Sequence, residues 1–167
     1  EVLKRLRPPR AQEFHMPKKC PICGSSVIHK EGEVAYRCSN KNCAAIQREK
    51  IYHFVSKNAF DIQGLGPKII DALLDNGLIR SAPDLFLLKE KEIEPLERFG
   101  EKSAANLVGA IQEKKKIPLH RFIYALGIEH VGEVSALDLA RTFGSVEALQ
   151  GAGLEELRKV RDIGEVV

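Results

Sequence analysis

Beyond Ala44 the apolar positions recur at helical spacing, and the recurrence itself repeats. Gly66, Gly100, Gly132 and Gly164 lie 34, 32 and 32 residues apart. Each is preceded by an apolar residue four positions back and another one position back: Ile62 and Leu65, Leu96 and Phe99, Ile128 and Val131, Val160 and Ile163. After the first three glycines the fourth, seventh and eighth positions are Ile70, Leu73, Leu74; Ala104, Leu107, Val108; and Ala136, Leu139, Ala140. That spacing puts one buried stripe on a helix that starts just past each glycine. Pro67 suits a first helical turn, where its missing N–H would have no intrahelical partner. Asn76-Gly77 and Phe143-Gly144 read as helix stops.

The gaps between the glycines hold further helices, predicted over 44–58, 83–93, 118–126 and 146–159, with Ser81 and Ser145 as N-caps. The result is helix, tight hairpin, helix, four times over, the pattern of tandem helix-hairpin-helix motifs. Upstream the periodicity changes. "VIHKEGEVAYRCSN" reads as two short strands turned at Glu31-Gly32-Glu33. The predicted fold class is therefore mainly α, with a small ribbon of short β-strands ahead of the helical repeats. Three segments are expected: an extended basic connector over 1–17, a four-cysteine finger over 18–45, and a helix-hairpin-helix domain over 46–167 whose last motif is truncated.

Charge sharpens this division. Residues 1–50 carry 11 Lys/Arg against 5 Asp/Glu, whereas 51–167 carry 15 against 18. The basic surplus centres on Lys4, Arg5, Arg7, Arg10, Lys18 and Lys19, and reads either as contact with an anionic polymer or as a solvated tail. No apolar run approaches a membrane span.

Cys20, Cys23, Cys38 and Cys43 form two close pairs, C-x2-C and C-x4-C, separated by fourteen residues. Each pair lets a tight knuckle aim two thiolates at one centre, and four soft anionic ligands suit tetrahedral Zn²⁺. Two disulfides and an iron–sulfur cluster are the rivals. The charged, helical remainder and a start unlike a signal peptide argue against disulfides, and the paired knuckles favour zinc over iron–sulfur. With four cysteines the shell is closed, so the metal would hold a fold and do no chemistry. His29 and His53 are the alternative ligands, read as surface or core histidines.

Hairpin glycines let backbone approach a ligand without a Cβ in the way, and the following helix presents unpaired N–H groups and partial positive charge. Such a device suits phosphate and predicts no sequence preference; the competing reading is that each glycine merely turns the chain. The candidate DNA contacts are Gly64, Leu65, Gly66 and Lys68 in the first hairpin, then Arg98, Gly100, Lys102, Ser103 and Asn106 in the second. His130 and Gly132 represent the third and Gly164 the fourth. Only the first hairpin has two glycines; Arg98, His130 and Asp162 replace Gly64 in the others, and Asp162 would repel an anion. "GEKS" at 100–103 lacks the upstream glycine of a P-loop.

Taken together, "MPKKCPICGS", "YRCSNKNCAA", "HFVSKNAFDIQGLGPKIIDALLDNGLI", "LERFGEKSAANLVGAI" and "FIYALGIEHVGEVSALDLARTFGS" resemble, in order, the zinc-finger and helix-hairpin-helix region of bacterial NAD-dependent DNA ligases. The likeness runs from about Met16 to the last residue, and residues 1–15 look like the exit from the family's oligonucleotide-binding barrel. The resemblance implies a parent enzyme that uses NAD and Mg²⁺ to seal nicks in replication and repair. It also implies a cytoplasmic, nucleoid-associated monomer with no membrane partner, and a BRCT-type domain further on. There a lysine takes AMP from NAD, passes it to the 5′-phosphate of the nick, and the 3′-hydroxyl attacks. No K-x-D-G string for that lysine occurs here, so no catalytic residue and no NAD site are assigned, and the fragment alone is expected to be inactive. The implied role is to grip nicked duplex DNA in the minor groove opposite the catalytic domains, with structural zinc stiffening the joint. A DNA-binding module of another repair protein, nuclease or topoisomerase, and a protein-interaction scaffold are the alternatives.

Overall fold

A computed structural model describes residues 14–161 together with Ile163 and Gly164. Lys4, Arg5, Arg7, Arg10 and Asp162 lie outside the described residues. The chain divides into two compact units, Glu1–Ile46 and Gln47–Val167.

In the first unit, β1 (Val27–His29) pairs antiparallel with β2 (Tyr36–Cys38), with Val27 opposite Cys38 and His29 opposite Tyr36. The His29 and Tyr36 rings stack at 4.5 Å. The turn falls where the sequence placed it: Gly32 is left-handed at φ 83°, and the Glu33 N–H donates to the Lys30 carbonyl at 3.1 Å. A bridge between Lys19 and Ser26 extends the ribbon towards the first cysteine pair.

α1 (Ala44–Val55) leads out of the ribbon, and the second unit continues with α2 (Pro67–Asp75), a 3₁₀ turn (Ala82–Leu87), α3 (Glu90–Ile93), α4 (Glu101–Glu113), α5 (Leu119–Ala125), α6 (Glu133–Phe143), α7 (Val146–Gly151) and α8 (Leu154–Leu157). Two of the expected single helices are broken. The span 83–93 is a 3₁₀ turn followed by α3, because the backbone becomes extended at Leu88 and Lys89 (ψ 139° and 151°). The Lys89 N–H then donates to Glu92 and starts a new helix. The span 146–159 breaks at Ala152-Gly153 in the same way, with the Gly153 N–H on Glu156 at 2.9 Å. Elsewhere the punctuation is as read: Gly77 and Gly144 are left-handed at helix ends, and Ser145 accepts from the Ala148 N–H at 3.1 Å.

The four hairpins pack as two pairs, each with its own core. Ile51, Ile70, Leu73, Ile79, Leu85, Ile93 and Ile111, all at most 2% exposed, join α1 to hairpins one and two. Ile123, Val131, Ala136, Leu139, Val160 and Ile163 form the second core, around hairpins three and four. The repeat stripe is buried or partly buried except at Ile128, which is 43% exposed where its counterparts Ile62 and Val160 are 5% and 4%. Polar bonds join the pairs: His53 Nε2 donates to the Tyr124 carbonyl at 2.7 Å, and Arg121 Nε to the Ala59 carbonyl at 2.8 Å.

Candidate metal centre and hairpin backbone sites

Two knuckles build the cysteine cluster. In the first, the Gly24 N–H donates to the Cys20 carbonyl (2.9 Å) and the Cys20 N–H to the Ser25 carbonyl (2.8 Å), with Gly24 left-handed at φ 71°. In the second, Asn40 accepts the Asn42 N–H on its side chain and the Cys43 N–H on its carbonyl, both at 3.0 Å. The four Sγ atoms lie within 4.8 Å of one another; Cys20–Cys43 is 3.8 Å and Cys23–Cys38 is 3.4 Å. These separations suit one central ion, since bonds of about 2.3 Å place tetrahedral sulfurs about 3.8 Å apart. They also exceed an S–S bond, so the cluster is one site of four and not two crosslinks. The thiols do not ionise alike. The Ser25 hydroxyl and N–H hold Cys23 down to about 6, while burial raises Cys43. At Cys38 the Asn40 N–H acts downward, but burial and the neighbouring thiols prevail and push it up to about 12. A bound divalent cation would override that difference by holding all four thiols deprotonated. His29 and His53, the alternative ligands, are instead engaged with Tyr36 and Tyr124.

The hairpins share one hydrogen-bonded turn. In each, the N–H one residue before the repeat glycine donates to the carbonyl three residues earlier: Leu65 to Ile62 (3.3 Å), Phe99 to Leu96 (3.0 Å), Val131 to Ile128 (3.0 Å) and Ile163 to Val160 (3.2 Å). The third residue of the turn is left-handed in the first three, with φ 79° at Gly64, 70° at Arg98 and 66° at His130. The repeat glycines behave differently from that third residue. Gly66, Gly100 and Gly132 are extended N-caps, at φ −83°, −156° and −84°, that any residue could adopt. A Cβ built on any of them, or on Gly164, meets nothing within 4 Å. Neither backbone conformation nor internal packing calls for glycine there.

Helix starts divide along the same line. Away from the hairpins, Asp84, Glu92, Ser145 and Glu156 engage backbone N–H groups at helix N-termini, and Pro118 opens α5 without a side-chain cap. At the three hairpin helices the N-cap has no side chain to offer. The N–H groups of Gly66 and Lys68, and of Gly132 and Glu133, have no partner among the described residues. The second hairpin is partly closed, because Ser103 Oγ accepts from the Gly100 N–H (2.9 Å) and donates to the Gly100 carbonyl (3.0 Å).

Lys68, Arg98, Lys102, Asn106 and His130 are exposed, as a contact role needs. Leu65 is 4% exposed with its N–H spent on the turn, so it serves the core, and Ser103 is committed to its own helix start. Glu101 and Glu133 were overlooked in the sequence: each puts a carboxylate in the first turn of a hairpin helix, and Glu133 accepts from Asn58 Nδ2 at 2.6 Å. Only α2 among the three hairpin helices has an acid-free first turn.

Comparison with known proteins agrees with this architecture. Residues 19–45 match the NAD-dependent DNA ligase C4 zinc finger domain, 57–113 the SAM-like helix-hairpin-helix tandem, and 121–167 the helix-hairpin-helix motif. A DNA ligase of Symbiobacterium thermophilum is 49% identical over 98% of this chain, one of Synechococcus sp. (strain RCC307) 47% over 98%, and one of Nitrosococcus oceani 45% over 100%. The chain spans only 24%, 24% and 25% of those relatives' own lengths. Over nearly its whole length the chain is thus similar to one region of DNA ligases, and within it residues 19–45 match the C4 zinc finger of the NAD-dependent enzymes while 57–113 and 121–167 match helix-hairpin-helix models.

Proposed function

We propose that this chain binds the phosphate backbone of nicked duplex DNA from the minor groove, as the clamp of an NAD-dependent DNA ligase. One observation carries the reading: side chains meet the N–H groups at four helix starts away from the hairpins, whereas at hairpins one and three a glycine N-cap leaves backbone N–H groups open and the space where a Cβ would stand empty. Those N–H groups and the positive ends of α2, α4 and α6 suit phosphate oxygens. Hairpin one is the strongest site, with two glycines, no acid in the first helical turn and Lys68 beside it. Arg98 and Lys102 serve the second hairpin and His130 the third. The four thiolates would hold structural zinc. The adenylated lysine, NAD and Mg²⁺ would belong to other domains of the parent protein, so the fragment itself seals no nick.

Gly66→Val tests this cleanly, because its backbone angles admit a side chain and no internal atom obstructs one. In anisotropy titrations of nicked and intact duplexes, the variant should bind markedly more weakly at unchanged helicity, and Gly132→Val should lose less. Unchanged affinity for nicked duplex in both variants would refute a hairpin grip. Binding should also fall with salt at a slope of roughly 0.9 per phosphate contact, independent of sequence.

A further inference from the structure

Tertiary packing forms a basic patch by bringing the segment of Lys57 against a basic run that the chain carries at 114–121. Arg121 reaches back to the segment before hairpin one, donating through Nε to the Ala59 carbonyl and through Nη2 to the Lys57 carbonyl. Lys114 Nζ meets Asp61 Oδ2 at 3.5 Å. These bonds bring 57–61 against 114–121, two segments that together hold five Lys/Arg and one Asp. Residues 51–167 otherwise hold 10 against 17. Asp61 balances Lys114, but Arg121 is spent on neutral carbonyls. Lys57, Lys115 and Lys116 are exposed, and their amines have no partner among the described residues. Glu113 and Glu133 flank the patch without pairing with these amines.

The patch lies on the flank of hairpin one. Asp61 immediately precedes its turn and accepts from Gln63 Nε2 at 3.1 Å. Lys114 stands two helical turns beyond Leu107, whose Cδ1 lies 3.9 Å from where a Gly64 Cβ would be. We propose that Lys57, Lys115 and Lys116 form a second contact with the DNA backbone, outside the hairpins, holding phosphates next to those that hairpin one takes. This rests on the duplex-binding reading above. Three amines on long flexible stems act as point charges towards phosphate and read no bases.

The test is the metal-loaded chain carrying Lys57→Gln, Lys115→Gln and Lys116→Gln together, titrated against a nicked duplex over a range of salt, beside wild type and Gly66→Val. The expected result is a shallower plot of log affinity against log salt, by up to about 0.9 per amine removed, with the same loss on duplexes of unrelated sequence. In wild type, saturating duplex should protect these three lysines from acetylation, read by mass spectrometry. Unchanged slope and unprotected lysines, with Gly66→Val still weakened, would overturn the patch and leave the hairpins standing. Absence of duplex binding by wild type would overturn both.

Discussion

Arg98 and His130 occupy a backbone conformation that costs an L-residue about 1 kcal/mol and that Gly64 adopts freely in hairpin one. A side chain kept at that cost has some return, and exposure at the hairpin tip points to ligand contact. Arg98→Gly should therefore raise thermal stability while lowering duplex affinity, measured as melting temperature and anisotropy on the same preparation. A fall in both would assign Arg98 to the fold. Legibility at this scale was uneven. The glycine register, the caps and the cysteines could be read directly, because each depends on local backbone geometry. The engagement of Ser103 by Gly100, the burial of Leu65 and the bond between Asn58 and Glu133 could not, since they depend on where a side chain points or on a residue 75 positions away.

Among the elements, α1 and α2 are fastened by a polar clasp in which the Tyr52 hydroxyl donates to Asp71 and Arg48 bridges Asp71 and Asp75, the latter at 2.9 Å. The Tyr52 hydroxyl, with Arg48, holds the Asp71 carboxyl below its ordinary value. A depressed folded pKa gives stability that is complete above the unfolded value, about 3.9, and is lost as pH falls through the folded one. Tyr52→Phe should thus lower stability near neutrality, where that contribution is complete, and flatten the acid limb so that the variant meets wild type at low pH, followed by denaturant melts from about pH 2 to 7. The clasp fixes the helix that hairpin one starts. Nearby, Leu73→Ala, at a fully buried site, should cost about 2–5 kcal/mol in the same assay.

For the whole molecule, the two cores of the second unit contain no cysteine, while the first unit is short and its buried residues include Cys20 and Cys43. Removing the metal with a chelator, or replacing Cys20 and Cys23 by Ser, should unfold the ribbon and leave most helicity by circular dichroism, because metal binding and folding are one event in small fingers. Stoichiometric zinc retained by the double variant would overturn the ligand set. Among the described residues no helix is long and apolar enough to cross a membrane.

By itself the sequence determined the element types, the hairpin register and the cysteine spacing, since 3.6-residue periodicity, left-handed glycines and knuckle turns are all set within a few neighbouring residues. Only the tertiary structure decided that four consecutive hairpins pack as two pairs and that Arg121 and Lys114 draw a basic segment against hairpin one. Those outcomes come from burying stripes contributed by distant segments and from pairing charges that meet only after burial. Local periodicity therefore fixes which face a helix hides, but not which partner covers it.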